Sequence, residues 1–135
     1  FLEHIVNFDT MIKDIHRMLK PRGIHFVVVP HFANPYYYSD YTHKRFFGLY
    51  SFDYFSKPEH QLIRKVPPFY NNIKFRTTRR KIIFKSPEFP VRNFFRSKII
   101  QPIFNFNSFM QEFYEGSFCY TFSPQELEFE MIPEK

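Results

Sequence analysis

The segment HRMLKPRGIHFVVVP, His16–Pro30, runs a basic, proline-stopped stretch straight into an apolar one, and its reading decides the fold class. Upstream, Met11, Ile12, Ile15, Met18 and Leu19 recur at helical spacing, while Lys13, Asp14, His16, Arg17 and Lys20 take the other side. That pattern predicts an amphipathic helix over Asp9–Lys20, with Asn7 or Asp9 able to cap its start. Arg17 and Lys20 complement the negative end of the helix dipole, and Pro21 has no amide to carry another turn. Gly23 permits a reversal. Ile24–Val29 then follows without alternation except at His25, the pattern of a strand covered on both faces and hence of a parallel sheet. Helix, tight turn and buried strand make half of a βαβ unit. Only FLEHIV, Phe1–Val6, precedes the helix, and it reads as a strand's carboxyl end and the loop after it.

The 135 residues suit one domain, and the chain begins at Phe1 inside what reads as a motif. The expectation is a single-domain fragment over 1–135. With 44% hydrophobic residues and 21 Phe there is ample material for a core, but eleven Pro divide the chain into short elements. The single cysteine, Cys119, excludes an intrachain disulfide framework and any multi-cysteine zinc site, and suits a cytoplasmic protein. No run approaches the roughly 20 apolar residues of a membrane span. The net charge of +6 fits either anionic partners or a basic portion separated from an acidic one.

His31–Tyr50 mixes aromatics with turn formers and reads as a long loop. Ser51 can cap a short helix over Phe52–Ser56, KVPPFYNN breaks the chain, and Ile73–Lys85 is β-branched and aromatic enough for a strand. Val91–Tyr114 has a helical pattern crossed by Pro102, which predicts two short helices joined there. Leu127, Phe129 and Met131 alternate with Glu126, Glu128 and Glu130, the mark of a half-exposed strand. Pairing it antiparallel to Ile73–Lys85 would set Lys74, Arg76 and Arg80 across from the glutamates, each pair contributing roughly 0.2–1 kcal/mol. The connection between these strands, residues 86–123, is expected to be a helical insertion or lid over a sheet edge or a pocket mouth.

Three blocks carry a resemblance to a known family: LEHIVNFDTMIKDIHRMLKPRGIHFVVVPH, SDYTHKRFFGLYSFDYF and FYEGSFCYTFSPQELEFEM. Together they resemble the second half of a class I S-adenosylmethionine-dependent methyltransferase. In that family an LEH loop after the fourth strand, a helix ending in R-x-LKP-x-G and an apolar fifth strand follow in this order. The second block is similar to a D-x-TH-x-RFF segment of members acting on small molecules or glycan-like acceptors, and the third to the approach to an antiparallel seventh strand. The resemblance implies an α/β fold: the C-terminal part of a doubly wound, Rossmann-like sheet, mixed with an antiparallel strand pair at its end. It also implies S-adenosylmethionine as cofactor, while the family's glycine-rich loop and ribose-binding acid would lie before Phe1. Only Gly23, Gly48 and Gly116 occur here, none in a G-x-G, so the isolated chain is expected to be inactive. Its partners would be a small-molecule acceptor and either the missing half of the domain or a second copy.

By this resemblance Glu3 and His4 line the cofactor pocket, although a histidine ahead of a helix is also common at a plain surface. Pro30 and His31 stand just past the fifth strand, at the edge where open α/β sheets place ligands, and are candidates for binding the acceptor; His31 is equally readable as a loop histidine. Tyr36, Tyr37 and Tyr38 would wall an apolar or ring-shaped acceptor, with Arg45 nearby. Asp40 and His43 would orient the acceptor or take its proton, or else serve as a capping aspartate and a helix-start histidine. With no HxH or HxxxH pair among six histidines, no metal site is expected. A different class of function is also open. RTTRRKIIFK with its flanking aromatics could contact nucleic acid, although the acidic strand explains the same charges and no nucleic-acid partner is expected; Phe94–Phe113, with Arg92, Arg96 and Lys98, could lie on a membrane surface.

Overall fold

Helix α1 spans Phe8–Met18 and stops when Leu19 turns extended, two residues ahead of Pro21. The Gly23 amide donates to the Lys20 carbonyl at 2.8 Å, closing the expected turn into β1, His25–Pro30. The computed structural model describes residues 1–85 and 88–135; Ser86 and Pro87, where the expected insertion begins, lie outside the described residues.

β1 departs from its reading. Val27 and Val29 are buried, but Phe26 and Val28 are open to solvent, so an unbroken apolar run here has one covered face, not two. Its neighbour is also not a parallel strand. The sheet has the order β1–β3–β2, with β3 (Glu126–Glu134) between β1 and β2 (Lys74–Ile83) and antiparallel to both. The molecule is thus mixed α and β, built on a small three-stranded antiparallel sheet.

β2 and β3 pair antiparallel as their charge pattern predicts, but with a correction in phase. A β-bulge between Thr77 and Arg79 exchanges the faces of the following residues, as one extra residue in a period-two strand must. Arg79 and Lys81, not Arg80, therefore stand opposite Glu130 and Glu128, and Arg79 lies 3.5 and 3.8 Å from the carboxylates of Glu128 and Glu130. Arg80 turns inward to an ion pair with the fully buried Asp53.

α1 contributes Ile12 to the core, with Phe8, Met11 and Ile15 packed beside it. The 3-10 turn Ser51–Phe55, where a helix was expected, sets Phe52 edge-on to Phe129 at 4.9 Å between ring centroids. The long loop contains a short helix, α2 (Pro35–Ser39), which Asn34 caps by accepting from the amides of Tyr36 and Tyr37.

After the two undescribed residues, α3 (Pro90–Phe95), a π-turn (Arg96–Ile100) and α4 (Gln101–Phe104) follow without a break. The expected joint at Pro102 is absent, because the wider π-turn just before it accommodates the missing amide and the ring. α5 (Ser108–Ser117) is capped by Asn107. This helical segment covers the outer edge of β2: Asn105 accepts from the Ile82 amide and donates to the Ile82 carbonyl, both at 2.7 Å, and Gln101 accepts from the Phe84 amide. Tyr114 of α5 is buried against Phe84 and Phe104. Among the described residues no helix is long and apolar enough to cross a membrane.

Candidate functional site

Two segments about forty positions apart meet at the amino-terminal end of the chain. The 3-10 turn Leu2–His4 ends in a carbonyl-rich bend, and the loop after α2 docks on it: the amides of Lys44 and Arg45 both donate to the Glu3 carbonyl, at 2.7 and 3.1 Å. The Arg45 guanidinium donates to the carbonyls of Ile5 and Val6 and lies over the Phe8 ring at 5.9 Å. Arg45 is thereby a clamp between the two segments, its charge spent on backbone carbonyls.

The clamp brings Glu3, His4, Asp40 and His43 together. The imidazoles of His4 and His43 meet edge to face with centroids 4.7 Å apart. His43 donates from Nδ1 to the Tyr37 carbonyl at 2.8 Å and sets Nε2 3.3 Å from Asp40 Oδ2. Asp40 is held in turn by the Thr42 amide and hydroxyl, both donating to Oδ1. Those two hydrogen bonds, with the charges of His43 and His4, keep the Asp40 carboxyl below its ordinary pKa against a small opposing effect of desolvation.

Tyr37 closes the site from below. Its ring is buried 4.4 Å from the His43 ring, and burial together with the Glu3 charge pushes its pKa up to about 12. Its hydroxyl has no hydrogen-bond partner among the described residues. Buried polar atoms are nearly always paired, and this unpaired one belongs to the ring that lies against His43.

The remaining predicted residues lie elsewhere. Pro30 ends β1 opposite Glu126. His31 is wholly buried: its Nδ1 accepts from the Ala33 amide and its Nε2 donates to Glu115, which also accepts from the Leu49 amide. Such a doubly engaged ring holds the loop to α5 and leaves no nitrogen for an acceptor. The three tyrosines of α2 do not make one wall, because successive residues of a helix point about 100° apart. Tyr36 borders a cleft of about 340 Å³ with Phe89 and Arg96, Tyr38 a second of about 340 Å³ with Phe32 and Tyr120, and Tyr37 faces inward.

Sequence reasoning paired Asp40 with His43 by spacing and Glu3 with His4 by adjacency. The meeting of the two pairs, and the Tyr37 ring against His43, carried no signal in a chain read segment by segment. No family model, curated protein or solved structure matches the chain.

Proposed function

We propose that the chain is the C-terminal portion of a class I S-adenosylmethionine-dependent methyltransferase domain acting on a small-molecule or glycan-like acceptor. One observation carries this reading: the LEH turn and the D-x-TH-x-RFF loop, which the resemblance assigns to cofactor and acceptor, are hydrogen-bonded to each other through Glu3, Lys44 and Arg45. A methyl donor and its acceptor have to meet, and so do the segments that hold them. The strand arrangement gives further support. An apolar strand with one free edge and an antiparallel strand on the other side fits the rim of a larger sheet, whose continuation is either the preceding part of the domain or a second copy of the chain.

In this reading Glu3 and His4 line the cofactor pocket, and the Tyr37 hydroxyl offers it a hydrogen bond. The cofactor supplies an electrophilic methyl on sulfonium. His43, held by the Tyr37 carbonyl with Nε2 free, takes the acceptor's proton, and Asp40 steadies the imidazolium that results. Most of the rate gain comes from positioning. The glycine-rich cradle is not among these residues: none of the described residues, Gly23, Gly48 and Gly116 included, has positive φ.

The test uses the chain expressed together with the sequence that precedes Phe1 in its reading frame. That protein should bind S-adenosylmethionine in a calorimeter, while residues 1–135 alone should not. His43→Ala should lower kcat by about 10²–10⁴, with Asp40→Asn milder and cofactor affinity unchanged in both. Full turnover with a lowered melting temperature would make His43 structural and end the acid-base assignment.

A second reading is favoured by the face that α3 to α5 present to solvent. Phe94, Phe95, Ile103, Phe106 and Phe109 are all exposed there, with Arg92 and Lys98 on the same segment. Aromatics interleaved with cations suit an anionic membrane surface. Flotation with vesicles containing phosphatidylserine, lost on Phe106→Ser/Phe109→Ser, would support it. The nucleic-acid alternative loses ground, because Glu128 and Glu130 answer Arg79.

A further inference from the structure

We infer that Glu3, His4 and His43 form a site for one divalent transition-metal ion, Zn²⁺ in the first instance, with the Tyr37 carbonyl as the group that orients His43. One donor atom from each of the three lies within 4.8 Å of the other two. Two imidazoles and a carboxylate are the donor set of open, three-ligand zinc sites, in which a further position is left for water or substrate.

The hydrogen bonds prepare His43 for this role. A histidine that donates from Nδ1 to a backbone carbonyl presents a fixed Nε2 lone pair, the usual support of a metal-bound imidazole. His4 bridges the other two, with Nε2 3.9 Å from Glu3 Oε1 and its ring 4.7 Å from the ring of His43.

The fit needs a small contraction. Tetrahedral ligands at about 2.0–2.1 Å from zinc stand roughly 3.4 Å apart. The longest separation closes by about 1.4 Å, which the half-exposed His4 side chain and rotation of the Glu3 carboxylate can supply while His43 stays held by the Tyr37 carbonyl. Short-range pair motifs could not reveal the site, because His43 joins Glu3 and His4 only through the docked loop. The inference stands on this geometry and competes with the acid-base role given to His43 above, because an ion on Nε2 takes the lone pair that role requires.

The test is calorimetric titration of the chelator-stripped chain with Zn²⁺ near neutral pH. One saturable equivalent is expected, weakened more than about tenfold by Glu3→Gln, by His43→Ala and by His4→Ala. Co²⁺ in place of Zn²⁺ should give a visible ligand-field band that His4→Ala abolishes. Should His43→Ala fail to fold by circular dichroism, the half-exposed His4 and the isosteric Glu3→Gln decide the matter. His16→Asn, which alters a ring bonded instead to the Lys74 and Glu134 carbonyls, should leave binding unchanged. Absence of saturable binding, binding indifferent to His4→Ala and Glu3→Gln, or loss confined to His16→Asn would each overturn the site.

Discussion

Asp53 and Arg80 form the most consequential pair of single residues. Burial raises the Asp53 pKa, while Arg80 and the Leu62 amide pull it back, so the carboxylate depends on its partners to remain charged inside the core. Removing one partner strands the other. Asp53→Ala should cost about 3–5 kcal/mol in urea unfolding, and Asp53→Ala/Arg80→Leu should recover much of it, since a buried apolar replacement needs no counter-charge. His25 makes a different prediction, in pH. Its Nδ1 is buried without a partner and burial holds the imidazole below its ordinary 6.5. The unfolded chain therefore binds the proton more tightly: this contribution to stability is complete above about pH 6.5 and declines as pH falls toward the depressed native value, by up to about 1.4 kcal/mol for each unit of depression. His25→Phe should narrow the drop in melting temperature between about pH 7.5 and pH 5. An unchanged drop would assign the acid sensitivity to other groups.

Among the elements, those with a strong period were legible and those set by distant partners were not. α1 follows from Met11, Ile12 and Ile15 at helical spacing, and β3 from Leu127, Phe129 and Met131 alternating with glutamates, because in both the burial pattern repeats the sequence pattern. β2 was legible as a strand but not in its facing, since nothing local marks the bulge that turns Arg80 inward. β1 misled because Phe26 and Val28 are as apolar as Val27 and Val29, and only the neighbouring elements decide which pair is covered. The candidate site was legible as two pairs and illegible as one cluster for the same reason: docking of the 40–45 loop on Glu3 is a tertiary event. β1 also supplies a prediction. Its free edge carries exposed Ile24, Phe26 and Val28, where natural edge strands carry lysine or proline. Residues 1–135 alone should self-associate in sedimentation velocity, and Val28→Lys should shift them to monomer; an unshifted distribution would place the contact elsewhere.

At the scale of the molecule, one open face of the sheet and one free edge imply a core that is complete on one side only. Urea unfolding of residues 1–135 should accordingly show a shallower slope than a closed domain of that length. A sharp monomeric transition would argue that the sheet is sufficient as it stands. The order β1–β3–β2 has a further consequence in time. The central strand is the last to leave the ribosome, so β1 and β2, which never touch, wait without a shared partner while the intervening chain is made. Sheet formation then waits for β3 and is of high contact order, and nascent chains stalled before Glu126 should be held by chaperones and cut by proteases at sites the folded sheet protects.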